Sequence, residues 1–112
     1  MEIKEMQTEV DRWISQFAEG YWQPTSMTLR LIEEVGELAR EVNHLYGEKP
    51  KKPEEKETDL ELEMGDFLFI LLCFANAQNL DLERAFQRVM AKYYERDSNR
   101  WTRLDDGRSP ES

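Results

Sequence analysis

Cysteine, histidine and positive charge are all scarce in this chain of 112 residues. With Cys73 as its one cysteine, the chain can form no internal disulfide, and His44, its one histidine, has no Cys or His partner at zinc-ligand spacing. Fifteen Lys and Arg against 24 Asp and Glu leave a net charge of −9, a field that repels polyanions and argues against charge-driven binding to nucleic acid or to a membrane surface. A polyphosphate ligand would need a cation between itself and the protein. There is no glycine-rich phosphate loop, no Gly-x-Ser-x-Gly element and no basic stripe for reading DNA. The longest strongly apolar run, 67–75, is far shorter than the roughly 20 residues that cross a bilayer, and so is expected in a core. The acidic opening Met1-Glu2-Ile3-Lys4-Glu5 lacks the basic start of a secretion signal, so a cytoplasmic location is expected.

Only five Gly and four Pro interrupt what remains, which suits amphipathic helices. Ile3, Met6, Val10, Trp13, Ile14 and Phe17 recur at spacings of three and four, predicting a first helix that ends near Gly20. Tyr21-Trp22-Gln23-Pro24 breaks the pattern, and Thr25 or Ser26 is the expected cap of a second helix over about 27–46. Leu31, Val35, Leu38, Val42, Leu45 and Tyr46 form its apolar side, and Arg30, Glu33, Glu34, Glu37 and Glu41 the other. A third helix over 59–77 has no polar face from Met64 onward and belongs in the centre of the fold, covered on every side. Asp81 is positioned to cap a fourth helix carrying Leu82, Ala85, Phe86, Val89, Met90 and Tyr93, which should fray near Asn99. The reading is one all-α domain over 1–104, a four-helix bundle completed by homo-oligomerisation, with a flexible charged loop at 47–58 and a disordered tail at 105–112.

Glu63 and Asp66 stand three apart where the third helix turns from mixed to wholly apolar, and Glu34 and Glu37 show the same spacing on the second. Packing these helices together would bring two carboxylate pairs face to face. Like charges about 4 Å apart repel by roughly 4 kcal/mol at an effective dielectric near 20, so a bare cluster is unfavourable. A hard divalent cation removes the conflict: oxygen-only ligands suit Mg²⁺, with Mn²⁺ as its substitute. The bland alternative, a solvated acidic face, accounts for Glu33, Glu34 and Glu37 taken alone. It does not account for acids that lead into an apolar segment.

Lys92, Arg96 and Asn99 recur on the fourth helix with Arg100 and Arg103 beyond, either as phosphate ligands or as ordinary cations at a helix C-terminus. Trp22, in the loop before the acidic helix, is a candidate wall for a flat base, whereas Trp13 and Phe17 are read as core. Cys73 lies between Leu72 and Phe74 and is read as a buried thiol rather than a nucleophile.

Glu33-Glu34-Val35-Gly36-Glu37-Leu38 followed by Glu63-Met64-Gly65-Asp66-Phe67-Leu68 resembles the paired EExxE and ExxD motifs of the MazG-type nucleotide pyrophosphohydrolases. The likeness extends from Trp22-Gln23-Pro24 to Lys92-Tyr93-Tyr94-Glu95-Arg96. It implies an all-α fold that splits the α–β phosphate link of nucleoside triphosphates with Mg²⁺, releasing pyrophosphate. By the same resemblance Glu34, Glu37, Glu63 and Asp66 fall on metal ligands, and Glu33 is a candidate for orienting or deprotonating water. Lys92 and Arg96 fall on phosphate contacts, and the assembly is a homodimer or homotetramer. Many relatives carry Asn where this chain has Cys73, so their base recognition does not transfer. Gly65 agrees with the family and is expected to let the acidic helices approach closely. Alternatives are a phosphoribosyl-ATP or dUTP-type pyrophosphohydrolase and a non-catalytic helical module that binds metal or protein. A ferritin-like di-iron bundle fares worse, because Glu-x-x-His pairs are absent.

Overall fold

The computed structural model describes residues 1–48, 52 and 59–104. Four helices and, among the described residues, no strand make up the chain: α1 (Ile3–Ile14), α2 (Pro24–Tyr46), α3 (Leu60–Ala77) and α4 (Leu82–Asp97). This is the all-α class that the periodicity predicts. The charged loop, apart from residues 47, 48 and 52, and the tail at 105–112 lie outside the described residues. The chain divides into two compact units, Met1–Leu80 and Asp81–Ser112.

In the first unit, α1 opens on a capping box in which the Glu2 amide donates to the Glu5 carboxylate at 3.3 Å. The helix stops at Ile14, short of the stripe that runs to Phe17. Ser15 turns its hydroxyl back onto the Asp11 carbonyl at 2.6 Å, and Gly20, at φ +62, takes the left-handed conformation that lets the chain reverse toward α2. Phe17 therefore stands in the turn, edge-on to Trp13 with ring centroids 5.0 Å apart.

α2 begins earlier than expected, and its cap is Gln23 rather than Thr25 or Ser26. Pro24 is the physical reason: its missing N–H and fixed φ suit the first helical position, so the helix is already running when the hydroxyls arrive. Met27 and Glu34 are the buried residues of α2, while Val35, Val42, Leu45 and Tyr46 of the predicted apolar side are exposed. The acid-bearing side is the one that α2 turns toward α3.

α3 is capped by Asp59, whose carboxylate accepts from the Leu62 amide at 3.0 Å. Its second half carries the core residues Leu72, Cys73 and Ala75, packed against α1 and α2. In its first half Leu62, Met64 and Leu68 are exposed within the single chain. Gly65 does not serve close approach: a Cβ built there meets nothing within 4 Å. In the second unit, Asp81 caps α4 as predicted, accepting from the Arg84 amide at 3.1 Å, and no residue of α4 is buried.

Candidate functional site

The α2–α3 packing collects three carboxylates. Glu34 and Glu37 project from successive turns of α2, Glu63 comes from the first turn of α3, and one oxygen of each lies within 4.8 Å of the others. Glu34 is 1 % exposed, the most deeply buried large side chain of the described residues, and an acid in that position is exceptional. Its Oε2 and that of Glu63 are buried with no hydrogen-bond partner. Burial raises the Glu34 carboxyl above its ordinary range; Arg30 opposes this, while Glu37, Asp66 and Glu63 reinforce it. Glu63 is raised likewise, by burial first and then by the charges of Glu37, Asp66, Glu41 and Asp59. Orphaned buried oxygens in a like-charge cluster are what a hard divalent cation would relieve, and the all-oxygen donor set fits one.

A guanidinium serves this cluster. Arg30, one turn before Glu34, places Nη2 at 2.5 Å from Glu34 Oε1 and Nη1 at 3.1 Å from Glu33 and 3.9 Å from Glu37. Although its own burial works the other way, the three acids raise its pKa. Arg30 was predicted only as part of a polar face. The signal that could have distinguished it is its i,i+4 spacing to the acid that ends up buried.

The other two acids predicted for the site stand apart from the converging three. Asp66 is exposed, because the first half of α3 is not covered in this chain, so it does not enter an apolar interior as expected. It is close enough for its charge to raise both Glu34 and Glu63. Glu33 is exposed and tied to Arg30.

A cavity of about 520 Å³ opens beside the cluster, with Glu34, Arg30 and Asp66 on its lining. The remaining walls are mainly apolar and aromatic: Trp13, Phe17 and Trp22 from α1 and the following turn, Phe69, Ile70 and Cys73 from α3. Trp22 lines it as expected. Trp13 and Phe17, read from the sequence as core, are instead about half exposed and belong to this wall, because α1 ends before Phe17. Trp13 also stands edge-on to Phe69 at 6.0 Å. Burial pushes the Cys73 thiol up to about 11, which leaves it unreactive. Tyr21, not predicted for the site, lines the same cavity with its phenol pushed up to about 12, chiefly by burial.

Lys92, Arg96 and Asn99 lie in the second unit. Lys92 and Arg96 share a surface groove with Arg88, Ala91 and Glu95, and Arg96 is held by the adjacent Asp97 at 3.2 Å through both Nε and Nη2. Asn99 is exposed in the turn after α4.

Comparison with known proteins agrees with this chemistry. The family model of the MazG nucleotide pyrophosphohydrolase domain matches residues 22–101. The uncharacterised protein YpjD of Bacillus subtilis strain 168 is 56% identical over 106 residues, covering 95% of this chain and 96% of that protein. The crystal structure of Bacillus subtilis YpjD, a candidate pyrophosphatase, is similar with a TM-score of 0.76 at 56% identity, over 83% of this chain and 95% of that one. A Bacillus-conserved MazG protein, described as a nucleotide pyrophosphohydrolase, is similar with a TM-score of 0.75 at 50% identity, over 89% of this chain and 97% of that one.

Proposed function

The chain belongs to the MazG nucleotide pyrophosphohydrolase family and is a hydrolase acting on nucleotides; on that premise we propose that it is a Mg²⁺-dependent enzyme that converts nucleoside triphosphates to monophosphates and pyrophosphate. The observation that carries this reading is the cluster of Glu34, Glu37 and Glu63, with two orphaned buried oxygens, beside an aromatic cavity large enough for a nucleoside.

Glu34, Glu37 and Glu63 would hold the cation, with Asp66 joining them from the cavity side. When bound, the ion neutralises triphosphate charge and polarises the reacting phosphorus. Trp22, Trp13 and Phe17 offer the base a stacking wall. Glu33, exposed on α2 beside the buried Glu34, accepts a proton from the water whose oxygen attacks the α-phosphorus, and the α–β bridging oxygen leaves with pyrophosphate. Positioning and charge stabilisation supply most of the rate in such a reaction. For Lys92, Arg96 and Asn99 the role of phosphate ligand rests on the family resemblance, not on geometry.

The exposed apolar side chains of α2 and early α3, among them Ile32, Val35, Leu62 and Met64, support a second copy of the chain as their cover. A homodimer or homotetramer is accordingly expected in sedimentation. Among the described residues no helix is long and apolar enough to cross a membrane; housekeeping of nucleotide pools in the cytoplasm is the role proposed from the family.

A nucleotide panel that includes dUTP and phosphoribosyl-ATP, with pyrophosphate detection, tests the proposal. Turnover dependent on Mg²⁺ or Mn²⁺ is expected, with Asp66→Asn folding normally but losing about 10²-fold or more in kcat. Metal binding without hydrolysis of any nucleotide would favour a non-catalytic module.

A further inference from the structure

Arg30 contacts Glu34 and Glu37 of the cluster and the adjacent Glu33 while also lining the cavity. Its position is that of a substitute cation. It neutralises Glu34 through Oε1 only, leaving Oε2 of Glu34 and Oε2 of Glu63 buried and without a hydrogen-bond partner. A single positive charge at the edge of the cluster therefore relieves it incompletely. A divalent ion seated among the same carboxylates would compete with the guanidinium for Glu34 and Glu37, and the two cations would repel each other.

The displaced side chain has somewhere to go. At 34 % exposure Arg30 is not locked into a core, and turning it about its own torsions moves the guanidinium from the carboxylates into the cavity it already borders. A triphosphate anchored on the neighbouring cation would present phosphate oxygens there, and a guanidinium binds them through two parallel hydrogen bonds. We propose that Arg30 is a built-in counterion of the carboxylate cluster, displaced by the divalent ion and then used as a phosphate ligand. The proposal rests on the metal-dependent reading above and assigns that site a further substrate-binding residue.

The test is calorimetric titration of full-length wild type, Arg30→Gln and Arg30→Lys with Mn²⁺ alone, followed by inorganic tripolyphosphate at saturating Mn²⁺. Mildly alkaline buffer keeps protons from competing for the carboxylates. Loss of the competing charge is expected to tighten Mn²⁺ binding by about tenfold in Arg30→Gln, the scale set by a divalent ion and a guanidinium about 5 Å apart in solvent-like dielectric. Arg30→Lys keeps the charge and should stay near wild type. Tripolyphosphate should then bind about tenfold more weakly to Arg30→Gln, and more weakly to Arg30→Lys as well, because an ammonium lacks the paired donors. Should Arg30→Gln fail to fold, Arg30→Met provides the same comparison. A wild type that takes up no Mn²⁺ overturns the cluster reading and this proposal together. A wild type that takes it up, with Arg30→Gln binding it no more tightly or binding tripolyphosphate undiminished, overturns this proposal alone.

Discussion

The side-chain amide of Asn76 on α3 donates to the hydroxyl of Tyr21, in the turn between α1 and α2, at 3.0 Å. Both remaining polar positions of Asn76 are also filled: its second N–H reaches the Gln7 carbonyl at 2.8 Å, and its oxygen accepts from Gln7 Nε2 at 2.9 Å. Tyr21 in turn donates to Asp11 at 2.8 Å. A directional chain of hydrogen bonds thus ties α1, the turn and α3 together at Tyr21, the residue before Trp22 in the cavity wall.

This chain gives the first prediction. Tyr21→Phe removes the hydroxyl and leaves one N–H of Asn76 unpaired, at a cost of about 1–2 kcal/mol. Asn76→Leu removes one hydrogen-bond partner from Tyr21 and two hydrogen bonds from Gln7, and should cost about 2–3 kcal/mol. Urea denaturation measures both, and Trp22 emission should shift further in Asn76→Leu. Equal and negligible losses would show that the turn holds its place without the chain.

Gly65 supplies a second prediction. It sits inside α3 with open space where a Cβ would be, so Gly65→Ala meets no clash and lowers the entropy of the unfolded chain. The variant should gain about 0.5–1 kcal/mol in chemical denaturation. A loss of that size would mean that another surface lies against Gly65.

The third concerns pH. Glu34 and Glu63 both titrate above their unfolded values, chiefly because burial disfavours their charged forms. The folded protein therefore holds protons that the unfolded chain has released, and ∂ΔG/∂pH is negative through that window. Stability from these two groups is complete below the ordinary glutamate range and is lost as pH rises through their raised values. Mg²⁺ should replace those protons, so the rise in Tm that it produces should grow with pH across the same window. Melting scans with EDTA and with Mg²⁺ over a pH series check this. An increment that does not change with pH would contradict it.

Much of this was legible in the sequence, and the parts that were not share a cause. Helical periodicity and the acids at Asp59 and Asp81 located α3 and α4 closely, since capping and burial of the nearest face are local matters. The spacing of Glu34, Glu37 and Glu63 identified the acids that converge. Misread were the properties that depend on what lies across from a face. Val35 and Leu45, on the side read as apolar, are exposed within the single chain, whereas Glu34, on the side read as polar, is buried. Periodicity reports that a helix has two sides but not which of them its own chain covers. Trp13 and Phe17 were assigned to a core for the same reason, and Arg30 was read only as part of the polar side because its contact with Glu34 is defined only once Glu34 turns inward.

A fourth prediction follows from the strain of the cluster. Glu63 has a buried oxygen with no hydrogen-bond partner and its pKa is raised, so Glu63→Gln should make the metal-free protein melt higher, by roughly 2–4 °C, the effect of about half a kcal/mol in a domain of this size. The same variant should lose turnover. Improved stability together with lost activity is the pattern of a site that functions at the expense of the fold. A variant that melts lower in EDTA would show that Glu63 is stabilised by contacts other than a cation.

The central claim is that Glu34, Glu37 and Glu63 hold one divalent binding site. Calorimetric titration of Mn²⁺ into wild type and into Glu34→Gln tests it most directly. The account predicts saturable binding by the wild type and at least a tenfold loss in Glu34→Gln, the scale expected when a metal ligand is removed. Equal uptake by the two proteins, or none by either, would contradict it.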